Sequence, residues 1–179
     1  MGAAPDPPFV LEYRPHAEDD SWSPGWVPAP AIPGRGGFEG WEEIPETEFV
    51  FYRFQVDIHL DIGGNDFSAV LNPVLDFALA WQYLPGVLDE QGSIDTSMSV
   101  QGLTYRVERD GGDVVVSSNV HPKRRSARGF TPHRARLSRA DFEALVDQIV
   151  EGAFRLLYEA HPELERNHYL NGLRERIGF

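Results

Sequence analysis

The sequence predicts an α+β protein: a mostly antiparallel sheet with two main helices packed on one face, preceded by an irregular wrap. Three observations predict it. Apolar and polar residues alternate from Phe49 to Ile62, two segments carry apolar residues at helical spacing, and nine of the 14 prolines fall within the first 45 residues. We therefore expect an irregular N-terminal segment, residues 1–48, packed on a single α+β domain, residues 49–179.

The N-terminal segment is rich in proline, glycine and tryptophan. Proline lacks a backbone N–H and fixes φ, so this segment cannot form a regular helix or a central strand. It nevertheless contains Trp22, Trp26 and Trp41, and disordered segments are poor in aromatic residues because aromatic rings favour burial. We expect these rings to pin the segment to the body, with Phe9–Tyr13 as an edge strand.

The clearest strand signal runs from Phe49 to Ile62. Its apolar positions, from Val50 to Ile62, alternate with polar ones such as Asp57 and His59. Such a strand has one face covered by the core and one face open to water, as antiparallel sheets commonly do. The Gly63-Gly64 pair then predicts a turn.

Two helices are predicted by caps and apolar spacing. Asn72-Pro73 is expected to be the N-cap and first position of a helix that ends near Tyr83, before Pro85-Gly86. Ser138 is expected to cap the strongest helix, which ends at His161-Pro162, and a short C-terminal helix should follow from about Glu163.

Strand-like spacing returns between these helices. Residues 94–109 predict extended structure with a bulge at Gly102, and Gly111-Gly112 predicts a hairpin turn into a strand over 113–120. The basic stretch 121–136 is expected to be a loop or partly extended.

Composition excludes several classes of protein. The chain has no cysteine, which rules out disulfides, thiolate metal sites and a cysteine nucleophile. No apolar run approaches the ~18 residues of a membrane helix, and no export signal is visible, so we expect a cytoplasmic protein without a membrane partner. No phosphate loop, zinc spacing or nucleophile elbow appears, so we assign no catalytic residue, cofactor or metal.

Charge is unevenly distributed along the chain. The net charge is −12, made up of −15 over residues 1–120, +7 over residues 121–139 and −4 over residues 140–179. Nucleic acid is disfavoured as a partner because an anionic body repels a polyanion. We expect the basic segment, with Arg124, Arg125 and Arg128, to contact the protein's own acids, an acidic patch on a partner, or a second copy in a homodimer.

Two groups of residues are candidates for function. Asp57, His59 and Asp61 lie at alternate positions on one strand face, where they could bind a divalent metal or act as an acid–base group, although a solvated polar face has the same pattern. The second group surrounds an aromatic ring with acids, which is typical of a site for a basic protein. Its members are Trp41, Glu42, Glu43, Glu46 and Glu48.

The order of elements resembles small acidic bacterial immunity-type proteins of polymorphic or contact-dependent toxin systems. The resemblance covers about residues 49–165. The segments that carry it are Asp66-Phe67, Pro73-Val-Leu-Asp-Phe77, Leu103-Thr-Tyr105, Val114–Ser118, Ala140-Asp-Phe-Glu143 and Pro162-Glu-Leu164. It implies a protein that neutralises a toxin by binding it and that has no catalytic residues.

We therefore expect a non-enzymatic protein that binds another protein, an immunity protein that occludes the active site of a basic toxin domain. The acidic group above, together with Asp57 and Asp61 and the arginine segment, would contact that partner. Two alternatives stay open: a metal-binding protein or enzyme that uses Asp57, His59 and Asp61, and a self-associating structural or regulatory subunit.

Overall fold

The computed structural model describes residues 7–99, 104–118 and 133–179. Over these residues the chain forms eight strands in antiparallel sheets and four α-helices, which confirms the α+β class. Sheet A contains β1 (Phe9–Pro15), β2 (Gln55–Ile62), β3 (Asn65–Asp66) and β4 (Ala69–Pro73). Sheet B contains β5 (Ser93–Ser97), β6 (Thr104–Asp110), β7 (Asp113–Ser118) and β8 (Arg134–Ser138).

Sheet A is built around β2. Strand β1 pairs with one side of it, with Glu12 opposite His59, while β3 and β4 pair with the other side. The alternation predicted from the sequence holds throughout β2, because its even-numbered residues from Val56 to Ile62 are buried and its odd-numbered ones are at least partly exposed. The predicted edge strand at Phe9–Tyr13 is also confirmed.

The strand predicted from Phe49 is wrong over its first residues. Glu48–Tyr52 instead form a π-helical turn, and β2 begins at Gln55. Phe54, just before β2, has a φ of +56°, and its ring stacks on that of Phe49 with centroids 5.5 Å apart. Both of these rings are buried, so a short run rich in aromatics can bury part of its rings in a tight turn as well as in a strand.

The helix predicted to end near Tyr83 is present after β4, and a second helix that the sequence does not predict follows it directly. Asn72 and Pro73 belong to β4 rather than to a helix, and α1 (Val74–Gln82) begins directly after them. Pro85 does not end the helical region but lies in the first turn of α2 (Leu84–Gln91), where its missing N–H is not needed.

Sheet B has the strand order β5-β6-β7-β8, and the predicted hairpin joins β6 to β7. The end of the stretch 121–136 is extended, as one of the two expected conformations, because Arg134 already pairs with Ser117 and Ala135 is buried. The bulge expected at Gly102 and most of the basic segment lie outside the described residues.

The C-terminal region supplies the longest helix. In α3 (Arg139–Ala160) the Ser138 hydroxyl accepts a hydrogen bond from the backbone N–H of Asp141 at 3.1 Å, so the predicted cap is confirmed. A 3-10 turn (Pro162–Arg166) then leads into α4 (His168–Ile177). The core is continuous from Trp26 in the N-terminal segment to Leu173 in α4. The boundary at residue 48 stays a prediction.

Candidate protein-binding groove in the N-terminal segment

A buried serine ties the N-terminal segment to the start of β2. The Asp19 carboxylate accepts hydrogen bonds from the Ser21 hydroxyl at 2.6 Å and from the backbone N–H of Gln55 at 2.6 Å. The Ser21 hydroxyl in turn accepts from the backbone N–H of Phe54 at 2.8 Å. Trp22 adds a hydrogen bond from its indole N–H to the Gln55 carbonyl at 2.6 Å. These bonds hold an irregular backbone in one position, because each satisfies a polar group that the segment would otherwise bury unpaired.

Tryptophan rings extend this attachment to the end of α3. The ring of Trp26 lies 5.5 Å from those of Trp41 and Phe54, both at steep angles, and Trp26 is only 9% exposed. The ring of His161 lies 4.7 Å from Trp41, and its Nε2 donates to the Ser21 carbonyl at 2.6 Å. The tryptophans therefore pack the segment onto the body, as the sequence predicts.

Asn167 fixes the next part of the segment. Its side-chain amide donates to the carbonyls of Trp41 at 2.8 Å and Ile44 at 3.0 Å. Its side-chain oxygen caps α4 by accepting from the backbone N–H of Leu170 at 2.9 Å. One fully buried side chain thus joins the N-terminal segment to the C-terminal helix.

These attachments leave a groove of about 880 Å³ between residues 32 and 52, which we call the wrap groove. Its polar lining holds three carboxylates and one guanidinium, and its apolar lining includes two aromatic rings. The lining side chains that matter for binding are Ile32, Arg35, Phe38, Glu39, Glu43, Pro45, Glu48 and Tyr52. Such a site favours a cationic group that also carries apolar surface.

Glu48 is the buried acid of the wrap groove, at 5% exposure. Its carboxylate accepts from the backbone N–H of Ala31 at 3.1 and 3.2 Å and lies 3.6 Å from the Arg53 guanidinium. That guanidinium also donates to Asp20 at 2.7 Å and lies over the Trp26 ring. The carboxylate is therefore held in place before any ligand arrives, which lowers the entropic cost of binding.

Two exposed aromatic residues lie beside this groove, and the sequence does not predict them as binding residues. Phe51 and Tyr52 are each 41% exposed, with ring centroids 6.2 Å apart, and Tyr52 lines the groove itself. The π-helical turn directs both away from the core, and π-helical turns occur frequently at functional sites. The available sequence signal is Phe51, an apolar residue at a position where the alternation requires a polar one.

The predicted partner-binding acids divide between two surroundings. Glu43 and Glu48 line the wrap groove, whereas Glu42 and Glu46 lie against the C-terminal region. Glu42 is 3.4 Å from Arg166, and Glu43 is also 3.2 Å from His168. Burial, followed by the nearby Glu46 carboxylate, raises the pKa of Tyr169 to about 12.

Trp41, the aromatic ring predicted at the centre of this acidic group, is half-buried. Its packing against Trp26 and His161 leaves Phe51 and Tyr52 as the more accessible rings. Partner binding by Trp41 and by the four glutamates stays a prediction.

Asp57, His59 and Asp61 share the open face of sheet A, but each has a different partner. Asp57 lies 3.2 Å from the His16 ring, His59 lies 3.4 Å from the Ser68 hydroxyl, and Asp61 accepts from the Gly64 N–H at 2.8 Å. Alternate residues on a strand are about 7 Å apart, which is far for ligands of one ion. In the described ranges no group of three or more histidine or acidic side chains is placed to hold a metal ion.

Part of the basic segment can be located, although Arg124, Arg125 and Arg128 lie outside the described residues. Arg136 in β8 pairs with Asp110 and, at 3.2 Å, with Asp113. Arg139 at the start of α3 pairs with Asp89 at 2.9 Å and Glu143 at 2.7 Å. These two arginines contact the protein's own acids, which is one of the arrangements expected from the sequence.

No helix in the described part of the chain has the length and apolarity needed to cross a bilayer. Comparison with protein-family models, with curated proteins and with solved structures finds no match to this chain. The resemblance to immunity-type proteins accordingly stays a prediction.

Proposed function

We propose that this is a non-enzymatic, cytoplasmic protein that binds another protein through the wrap groove. The partner is a basic protein, and the biological role is that of an immunity protein that neutralises a basic toxin domain by covering its active site. The observation that carries this proposal is the combination, in one groove, of the fixed Glu48 carboxylate and two exposed carboxylates with the accessible ring of Tyr52.

The two kinds of side chain have different tasks in binding. Carboxylates at the groove attract a cationic surface over a distance of about a Debye length and so raise the association rate. Aromatic rings such as Tyr52 and the neighbouring Phe51 lose exposed area on contact and so slow dissociation. A toxin that binds a polyanionic substrate needs a cationic active site, and the wrap groove offers complementary charge to such a site.

The test is co-expression with the product of the neighbouring gene, followed by size-exclusion chromatography and binding kinetics at low and high salt. We expect a stable complex whose association rate falls as salt rises. The variant with Glu39→Gln and Glu43→Gln should associate more slowly with little change in dissociation, because both side chains line the groove and are exposed.

Tyr52→Ala should have the opposite signature, faster dissociation and an affinity about tenfold to a hundredfold weaker. Glu108→Gln is the control, because it removes one partly exposed acid from sheet B, away from the groove lining. The proposal is wrong if no complex forms, or if the double glutamine variant and the Glu108→Gln control associate at the same rate as the unaltered protein.

A further inference from the structure

Strand β1 leaves one row of backbone hydrogen-bonding groups facing away from its sheet. The Gly63 N–H donates to the Pro8 carbonyl at 3.0 Å, and the His16 N–H donates to the Gln55 carbonyl at 2.9 Å. Both bonds involve even-numbered residues of the N-terminal strand. Because hydrogen-bonded pairs alternate along an antiparallel ladder, the N–H and C=O groups of Phe9, Leu11 and Tyr13 point to the opposite edge.

The hydrogen bonds on the other side of β2 agree with this assignment of the backbone groups of β1. The Leu60 carbonyl accepts from the Phe67 N–H at 2.7 Å, so the even-numbered residues of β2 bond toward β3 and β4, while its odd-numbered residues bond toward β1. Of the described strands, β2 alone pairs with β1. Within the part of the chain that the structure describes, Leu11 and Tyr13 therefore present an open ladder edge.

A second groove, of about 560 Å³, runs along this edge and is bounded by α3. On the helix it extends from Gln148 to Glu159, twelve residues whose ends lie about 16 Å apart along the helix axis, and this length matches a strand of about five residues. Pro15 marks the limit of the ladder, because its nitrogen would face the open edge and carries no hydrogen.

Charge selects the occupant of this groove. Its lining carries the carboxylates of Glu12, Glu151 and Glu159 against the single guanidinium of Arg155. Arg14 donates hydrogen bonds to the Glu12 carboxylate at 2.7 and 2.9 Å. The acids that remain for a basic segment are therefore Glu151 and Glu159 of α3, which lie on either side of Arg155 in the sequence.

We propose that the edge of β1 is a second interaction surface, which accepts an extended, basic segment of a partner protein as an added strand. Backbone bonds to Leu11 and Tyr13 would supply affinity, and basic side chains at alternate positions would meet Glu151 and Glu159. None of its residues lines the wrap groove, so this proposal and the proposed function fail independently.

The test uses the full-length protein and a short fluorescent peptide of alternating arginine and valine, with binding followed by anisotropy. Two N-methylated forms, one methylated on every arginine and one on every valine, separate the two edges of the bound peptide. We expect one form to lose at least about tenfold in affinity and the other to bind like the parent, because only one set of N–H groups faces β1.

Leu11→Pro tests the protein side of the same bond. It deletes an N–H that faces the open edge and leaves the bonds to β2 in place, so thermal unfolding should still be cooperative and peptide affinity should fall severalfold. Leu11→Ala is the matched control, because it shortens the side chain but keeps the N–H.

Three outcomes would overturn the proposal. One is equal binding of the two N-methylated peptides, which would leave only charge attraction. Another is equal binding of an alternating glutamate and valine peptide. The last is a dimer of this chain that Leu11→Pro converts to a monomer, which would assign the edge to a second copy. If Leu11→Pro fails to fold, the pair of N-methylated peptides decides the question with the unaltered protein.

Discussion

The region around the wrap groove has a large excess of acidic residues, whereas acidic and basic residues are balanced in sheet B. Residues 17–52 contain eight acidic residues and a single arginine, Arg35. The four strands of sheet B contain four acidic residues and four arginines, and cross-strand register brings several of them together. Arg106 lies 3.5 Å from Asp95, for example, and Arg136 lies 3.2 Å from Asp113.

The difference teaches that segment charge is a poor guide to surface charge. The basic segment from 121 to 139 has the largest positive charge density in the sequence, yet two of its three described arginines, Arg136 and Arg139, are already paired with acids of the same chain. Three of the five acids between residues 39 and 48 have a cationic neighbour, which is Arg53, Arg166 or His168, so the group keeps an excess of negative charge. An excess of one charge beside exposed rings distinguishes a binding surface from an ordinary polar one.

Removing the central tryptophan of the N-terminal segment should have the largest effect. Trp26→Ala deletes a ring that contacts Trp41, Phe54 and His161, so we expect a loss of about 3–5 kcal/mol in the free energy of unfolding. Amide hydrogen exchange should show protection lost in residues 19–52 and kept in β6 and β7. Val27→Ala is the control, since Val27 is 76% exposed. Equal loss of protection in sheet B would contradict the expectation that the Trp26 ring stabilises mainly the N-terminal segment.

The next largest effect is expected at Asn167. Asn167→Ala removes the α4 cap and leaves the buried carbonyls of Trp41 and Ile44 without their donor, at a cost of about 2–3 kcal/mol. Asn171→Ala on the same helix is the control, because its amide makes one exposed bond to the Glu165 carbonyl. Urea denaturation measures both. Similar denaturation midpoints for the two variants would show that Asn167 is not what attaches the N-terminal segment to α4.

Single charge changes should alter stability by less, and with opposite signs in the two regions. Arg136→Gln leaves Asp110 and Asp113 without their partner and should lower the free energy of unfolding by at most about 1 kcal/mol, since the pairs are exposed. Glu39→Gln removes one acid from an acidic region and should leave stability unchanged or raise it slightly. Denaturation at low salt measures the sign of each change in the free energy of unfolding, and added salt should reduce both changes. A clear loss of stability in Glu39→Gln would contradict the expected difference in sign between the acidic region and sheet B.

The sequence predicts those parts of the fold that depend on local pattern. Alternation from Val56 to Ile62 identifies β2 and its open face, and the Ser138 cap identifies the start of α3. No periodic pattern in the sequence predicts the wrap groove, because its shape depends on hydrogen bonds from His161 and Asn167 to residues more than 120 positions earlier. The aromatic run at Phe49–Phe54 fits a strand and a π-helical turn equally well, so Phe51 and Tyr52 could not be identified as exposed rings.

Sheet membership was also beyond the sequence. Period-two patterns identify strands, but they do not say which strands pair, and here the strands divide into sheets A and B. The acids show the same limit. Their types and spacing are visible in the sequence, whereas the burial of Glu48 and the pairing of Glu42 with Arg166 follow only from the tertiary structure.

The smallest effect is a pH dependence that joins the acidic segment to α4. Burial, aided by Glu46, raises the pKa of Tyr169 to about 12, above the ordinary value of about 10. A raised pKa means that the folded state favours the uncharged phenol. The associated stability is therefore complete below about pH 10 and is lost as pH rises toward about 12.

Glu46→Gln removes the neighbouring negative charge, so the pKa of Tyr169 should fall and the phenol should ionise at lower pH. Absorbance titration of tyrosinate, with Tyr169→Phe to isolate its signal and Glu163→Gln as the control, measures this shift. An unchanged titration in Glu46→Gln would show that burial alone holds the phenol uncharged.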